Sequence, residues 1–153
     1  NRTTQERLGA IRRNIAEAFK VYCPVQSLED IVVPPAAIPA VIPELERISG
    51  QFGVTIPCYG HAGDGNLHAT LVKDPDMPME DWQRIEPLSL TALYEAITRL
   101  GGKISGEHGI GLKRKEYMKK FMSPVELGLL KTIKRAWDPN LIMNPGKIFD
   151  MED

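Results

Sequence analysis

The three histidines of this 153-residue chain all lie in two glycine-rich segments. One is Gly60-His61-Ala62-Gly63-Asp64-Gly65-Asn66-Leu67-His68, and the other is Ser105-Gly106-Glu107-His108-Gly109-Ile110-Gly111. Glycine lets a backbone turn sharply and approach a ligand closely, so such runs suit loops that gather side chains around a small site. Two imidazoles and a carboxylate, His61, His68 and Glu107, make a metal-ligand set. Three protein ligands leave coordination positions open, which is the catalytic pattern, and mixed nitrogen and oxygen ligation suits Zn, Mn, Fe or Co. His108, next to Glu107, has three roles open to it: a further ligand, a group that orients a ligand, or a general base. The base is favoured, because a neutral imidazole near a cation is matched to removing a proton from a hydroxyl that the cation acidifies. The plainer alternative is two turn histidines and a surface glutamate. The concentration of every histidine in glycine-rich loops argues for a site instead. Asp64-Gly65 reads as turn chemistry. Neither G-x-G-x-x-G after a strand nor G-x-x-x-x-G-K-[ST] occurs, so phosphate or dinucleotide binding is a poor reading of these glycines.

The elements that must position these groups follow from periodicity. Thr3-x-x-Glu6 is a capping box, and Leu8, Ile11, Ile15 and Phe19 continue a first helix to about Lys20. Arg12, at the edge of that apolar stripe, reads as a surface residue, with a carboxylate in a pocket as its other possible partner. The β-branched run Glu29 to Val33, stopped by Pro34-Pro35, reads as a strand. Ile38, Val41, Ile42, Leu45 and Ile48 form a helical stripe, kinked at Pro43 or starting later than the stripe suggests. Val54 to Tyr59 reads as a strand whose Pro57 points to an edge or irregular pairing. Asp64-Gly65-Asn66 then turns the chain into an antiparallel strand, Leu67 to Lys73. Its alternation puts Leu67, Ala69 and Leu71 toward a core and His68, Thr70 and Val72 on the opposite face. His61 and His68 would thus flank one turn and converge.

A long amphipathic helix runs from Glu80 to Leu100, bent at Pro87 and ended by Gly101-Gly102. Lys103 to Ser105 is a brief strand candidate, and Leu112 to Met122 a charged helical one. The run Lys113-Arg114-Lys115 reads as a solvated face, with one member reaching an anion as the lesser alternative. Ser123-Pro124-x-Glu126 starts a final helix whose stripe is Leu127, Leu130, Ile133 and Trp137. The Asn144-Pro145-Gly146-Lys147 tail is a turn outside the core. Strands and helices mixed around a hairpin, with too few βαβ repeats for a parallel sheet, indicate one α+β domain over residues 1–153, an antiparallel sheet with helices packed on it.

The composition excludes several classes. With 19 basic and 20 acidic side chains the formal net charge is -1, which gives no electrostatic case for nucleic acid or acidic membranes. No apolar run spans a bilayer, and no transmembrane segment or secretory pattern is expected. Cys23 and Cys58 read as reduced thiols of a cytoplasmic protein. A helical pattern beginning at Asn1 without an initiator methionine is expected of a piece of something longer, and equally of processing.

The two histidine segments, together with Asp138-Pro139 and Asn144-Pro145-Gly146-Lys147, resemble the C-terminal domain of FAD-linked oxidases. The glycolate oxidase D subunit and the D-lactate and D-2-hydroxyglutarate dehydrogenases are of this type. Asp30-Ile31-Val32-Val33-Pro34 is similar to the family's first strand, so the resemblance covers nearly the whole chain. It implies a ferredoxin-like substrate domain covering an FAD held mainly by a separate N-terminal FAD-binding domain, which this chain lacks. His61, His68 and Glu107 would hold a divalent metal, Zn, Mn or Fe, that chelates the hydroxyl and carboxylate of a D-2-hydroxy acid. His108 would take the hydroxyl proton while hydride leaves Cα for the flavin N5. Asn144 and Lys147 would lie against the flavin, and Arg12 would bind the substrate carboxylate. An FAD-binding domain or subunit and an iron–sulfur electron-transfer subunit are the implied partners, at a cytoplasmic location that is peripheral to the inner membrane through them. Two positions depart from the family. Leu28 stands where some relatives carry a substrate-binding lysine, and Arg114 replaces a lysine often seen shortly after Gly-Ile-Gly.

The resulting expectation is the substrate and metal half of a flavin-dependent 2-hydroxy acid dehydrogenase, inactive alone. The alternatives are a non-catalytic binding or assembly domain of the same fold and, more remotely, a metal-dependent hydrolase.

Overall fold

The computed structural model describes residues 4–7, 9–10, 14, 21 and 23–152. The first-helix expectation, and Arg12 with it, falls mostly outside them; the described residues up to position 21 are helical. The chain then forms β1 (Gln26–Val32), a 3-10 turn (Pro35–Ala37), α1 (Ile38–Phe52), β2 (Cys58–His61), β3 (Asn66–Val72), α2 (Met79–Arg99), α3 (Lys115–Phe121) and α4 (Pro124–Trp137). The fold is α+β, as the element pattern requires. The sheet is antiparallel in the order β1-β3-β2. Lys103 adds a single antiparallel bridge to Val32 on the outer side of β1. Strand, helix, two strands, helix and this bridge reproduce a βαββαβ ferredoxin-like order, with the last strand reduced to one residue.

The apolar alternation of β3 works as expected on the core side. Leu67, Ala69 and Leu71 pair with Ile31, Glu29 and Ser27 of β1 and are buried with Val41, Leu45 and Ile48 of α1 and Leu90, Leu93 and Ile97 of α2. The opposite face differs from a half-exposed sheet: every residue of β3 is buried. Part of the reason is the loop after Lys103, which folds back against Asn66 and His68. Both internal prolines sit within continuous helices, Pro43 in α1 and Pro87 in α2. Each removes one backbone donor, and burial of the helix face outweighs that loss. The expected strand Val54 to Tyr59 is displaced: β2 covers Cys58–His61, at the sheet edge, with only a bridge at Thr55 before Pro57. At Ser123 the capping box forms in full, and Lys103 joins Glu126 at 2.7 Å. The hydrogen bonds from Lys103 and Ser123 pull the Glu126 carboxyl down to about 2. Among the described residues no helix is long and apolar enough to cross a membrane.

One core position is polar. Glu29 is fully buried on the helix side of β1 and takes a bidentate pairing from Arg114, a hydrogen bond from Tyr94 of α2, and one from Ser27 at 2.8 Å. Burial, with the Glu29 carboxylate next to it, pushes the Tyr94 phenol far above its usual range. Arg114 therefore departs from the solvated face expected of the Lys113-Arg114-Lys115 run, because β1 presents a buried carboxylate within its reach. Its guanidinium also donates to the Leu28 carbonyl at 3.2 Å, closing part of the open edge of β1. Breaking such a pair strands a buried charge. Arg114→Met is expected to cost about 3–5 kcal/mol in urea unfolding. Arg114→Met combined with Glu29→Gln should recover most of that loss.

Candidate functional site

The first histidine segment folds as the expected hairpin. Asp64 and Gly65 donate backbone N–H groups to the His61 carbonyl, and Asp64 Oδ1 accepts from Asn66 N at 3.0 Å. Gly65 has φ 83°, and a Cβ there would lie 1.9 Å from the Val33 carbonyl oxygen, so only glycine fits where the turn crosses the end of β1. The register then sets one row of side chains, Asp30 of β1, His68 of β3 and Tyr59 of β2, on the face opposite the helices. His61 pairs with Asn66 one row further along.

The second segment lies over this row. Asp30 Oδ2 accepts from the backbone N–H groups of Gly106 (2.9 Å), Glu107 (2.8 Å) and His108 (2.7 Å) and from Ser105 Oγ (3.3 Å). Asp30 Oδ1 accepts from Asn66 Nδ2 at 2.6 Å. Burial opposes ionisation of Asp30, but these hydrogen bonds outweigh it and hold its carboxyl below the usual 3.8. A Cβ at Gly106 would fall 1.9 Å from Asn66 Nδ2, so the loop needs glycine there for closeness of approach.

Glu107 and His108 thereby face His68. Glu107 Oε1 lies 3.2 Å from His68 Nε2 and 3.5 Å from His108 Nε2, and the His68 and His108 rings stack with centroids 5.0 Å apart. The His61 ring stands edge-on to His68 at 6.0 Å. Asp30, His68, Glu107 and His108 each offer a ligand atom, and these atoms lie within 4.8 Å of one another. Such a nitrogen and oxygen set fits a divalent cation. His68 is 10% exposed at its side chain, whereas Glu107 and His108 are 52% and 48% exposed, so the cluster opens on one side. Burial first, and the neighbouring His108 next, hold the His68 imidazole below its ordinary 6.5.

Of the residues singled out in the sequence, His68, Glu107 and His108 come together most tightly, with His61 adjacent. Asn144 and Lys147 lie in the tail, along a cavity of about 620 Å³ that Lys134, Met143 and Phe149 also line. The tail reaches the second loop through Ile148 N, 2.7 Å from the Gly111 carbonyl oxygen, and Asn144 adopts φ 48°. Asp30 and Asn66 are the residues that sequence reasoning missed. The available signal was two carboxylates side by side, Glu29-Asp30, opening an apolar strand.

With this geometry, the comparisons define the class. The model of the family "FAD linked oxidases, C-terminal domain" matches residues 1–148, and the chain belongs to that family. It is 34% identical over 146 residues to the D-2-hydroxyglutarate dehydrogenase of Stutzerimonas stutzeri, covering 94% of this chain and 31% of that protein. It is 34% identical over 138 residues to glycolate oxidase subunit GlcD of Bacillus subtilis, with 90% and 29% covered. With the D-lactate dehydrogenase of Anaerostipes hadrus the identity is 32% over 139 residues, with 91% and 29% covered. The chain spans about three tenths of the length of these relatives.

Two outcomes are expected. Gly106→Ala should push the loop off Asn66 and speed amide exchange at Glu107 and His108 about tenfold, a loss near 1.4 kcal/mol of local stability. By NMR, His68 should titrate below 6.5. Because the folded chain binds this proton less readily than the unfolded one, the stability it contributes is present above 6.5. It is lost as pH falls from there through the folded value.

Proposed function

We propose that this domain is the substrate- and metal-binding half of a flavin-dependent 2-hydroxy acid dehydrogenase or oxidase, of the glycolate or D-lactate type. The observation that carries the reading is the convergence of His68, Glu107 and His108 from two separate loops onto one open-sided cluster. His61, His68 and Glu107 hold a divalent cation, Zn, Mn or Fe. When bound, the cation acidifies the substrate hydroxyl and FAD supplies the hydride acceptor. His108, whose side chain is half exposed at the rim of the cluster, takes the hydroxyl proton at Nε2. Arg12 binds the substrate carboxylate, and Asn144 and Lys147 lie against the flavin.

The flavin is carried by a further domain or subunit, without which this chain is inactive. Support comes from the three-tenths coverage of the relatives and from α4. The sequence stripe of this helix is Leu127, Leu130, Ile133 and Trp137. Leu127 and Leu130 are half-buried, while Val125, Leu129, Ile133 and Trp137 point outward, Val125 82% and Trp137 84% exposed. A helix apolar on both sides needs a second covering surface.

The whole protein, loaded with FAD, should oxidise a 2-hydroxy acid, and His108→Ala should lower kcat about 10²–10⁴-fold. This chain should bind one divalent cation and lose it in a His61→Ala/His68→Ala variant. Absence of turnover with every 2-hydroxy acid tried would overturn the reading.

A further inference from the structure

Asp30 is one of the four groups whose ligand atoms cluster, and its chemistry sets it apart from the other three. An ionised carboxylate has about four lone-pair sites. Asp30 already accepts five hydrogen bonds, four of them on Oδ2. Three come from consecutive backbone N–H groups, the concave arrangement in which main chain binds an anion. Here the anion is the protein's own. The fifth bond fixes the Asn66 amide, which turns Nδ2 to Asp30 and the Ile31 carbonyl and leaves its buried Oδ1 without a partner. Asn66 stands two residues before His68 on β3, and Glu107 and His108 are themselves two of the three backbone donors. One buried carboxylate on β1 thus joins both histidine-bearing segments.

We propose that Asp30 is a positioning residue rather than a metal ligand: its carboxylate pins the Gly106–His108 backbone to β1 and to Asn66, so that Glu107 and His108 face His68 before any cation binds. The metal part of this inference rests on the function proposed above; the pinning part does not. Oδ2, which already accepts four hydrogen bonds, is a poor ligand, and moving it to a cation would release the Glu107 and His108 N–H groups together, while Oδ1 is engaged by Asn66 Nδ2 at 2.6 Å. The neighbouring Glu29–Arg114 pair acts from the other face of β1 on the far end of the same loop, so the loop is tied at both ends by adjacent residues of one strand.

The test uses the whole protein, flavin portion included, with Asp30→Ala, Asp30→Asn and Asp30→Glu. Amide exchange of residues 106–108 is measured without metal, Zn²⁺ affinity is measured by calorimetry, and the zinc ligands are counted by X-ray absorption. In Asp30→Ala the three amides should exchange at least tenfold faster, and Zn²⁺ affinity should fall 10–100-fold. The ligand count at saturation should stay that of the wild type. Asp30→Asn should fall between, because its oxygen can still accept from the backbone and its new N–H₂ can donate to Asn66 Oδ1 after that amide turns over. Asp30→Glu, one methylene longer, should displace the loop and resemble Asp30→Ala. If Asp30→Ala does not fold, the Asn and Glu variants carry the same comparison. Loss of one oxygen ligand from the zinc in Asp30→Asn would make Asp30 a ligand and overturn the proposal. Unchanged exchange at 106–108 would overturn it too. If wild-type protein binds none of Zn²⁺, Mn²⁺ and Fe²⁺, the functional reading fails, and the metal-free exchange data still decide whether Asp30 pins the loop.

Discussion

Two carboxylates side by side on a strand must point to opposite faces of the sheet, and the architecture around the site depends on that alternation at Glu29 and Asp30. On the helix side Glu29 draws in Arg114, Tyr94 and Ser27; on the other side Asp30 draws in three backbone N–H groups and Asn66. The segment from Ser105 to Arg114 wraps the outer edge of β1 between these anchors. Burying a charge is costly unless it is paired and hydrogen-bonded, and here both partner sets are complete enough to make the strand's two carboxyl groups the fixed points of the loop.

The reduced fourth strand makes room for this arrangement. A full strand beside β1 would have occupied the edge with a regular ladder. Instead Lys103 makes one bridge to Val32, and the carbonyls of Asp30 and Leu28 are taken up by Gly106 N and the Arg114 guanidinium. The sheet edge is closed without continuing the sheet, and the chain saved becomes a loop that reaches across the polar face. Beyond it, Tyr117 and Phe121 of α3 pack edge-on against Tyr94 of α2, so the loop's exit is held by aromatic contact as well as by charge.

Chemically, the consequence is a graded site. His68 sits deep in the sheet, where burial lowers its pKa, whereas Glu107 and His108 stand at a solvent-facing rim. A buried imidazole and an accessible one thus stand in different environments, although their rings are only 5.0 Å apart. The outward apolar face of α4 and the left-handed backbone at Leu141, Asn144 and Ile148 lie at the other end of the chain. Strained backbone and uncovered apolar surface of this kind are features of segments that meet something else.

The sequence by itself determined the α+β class, the hairpin at Asp64-Gly65-Asn66, the core face of β3, the capped start of α4 and the concentration of chemistry in two glycine-rich loops. Those follow from periodicity, turn chemistry and residue type, which act over a few residues. It also carried the family resemblance, which the family match bears out. Tertiary structure decided what depends on distant partners. It made Arg114 a buried counter-ion, made Asp30 and Asn66 part of the site, turned Val125, Leu129, Ile133 and Trp137 of α4 outward, and shortened β2 to Cys58–His61. Asp30 meets His108 across 78 positions and Glu29 meets Arg114 across 85. No local pattern encodes such pairings; they exist because the strand order brings β1 and the second loop to the same edge.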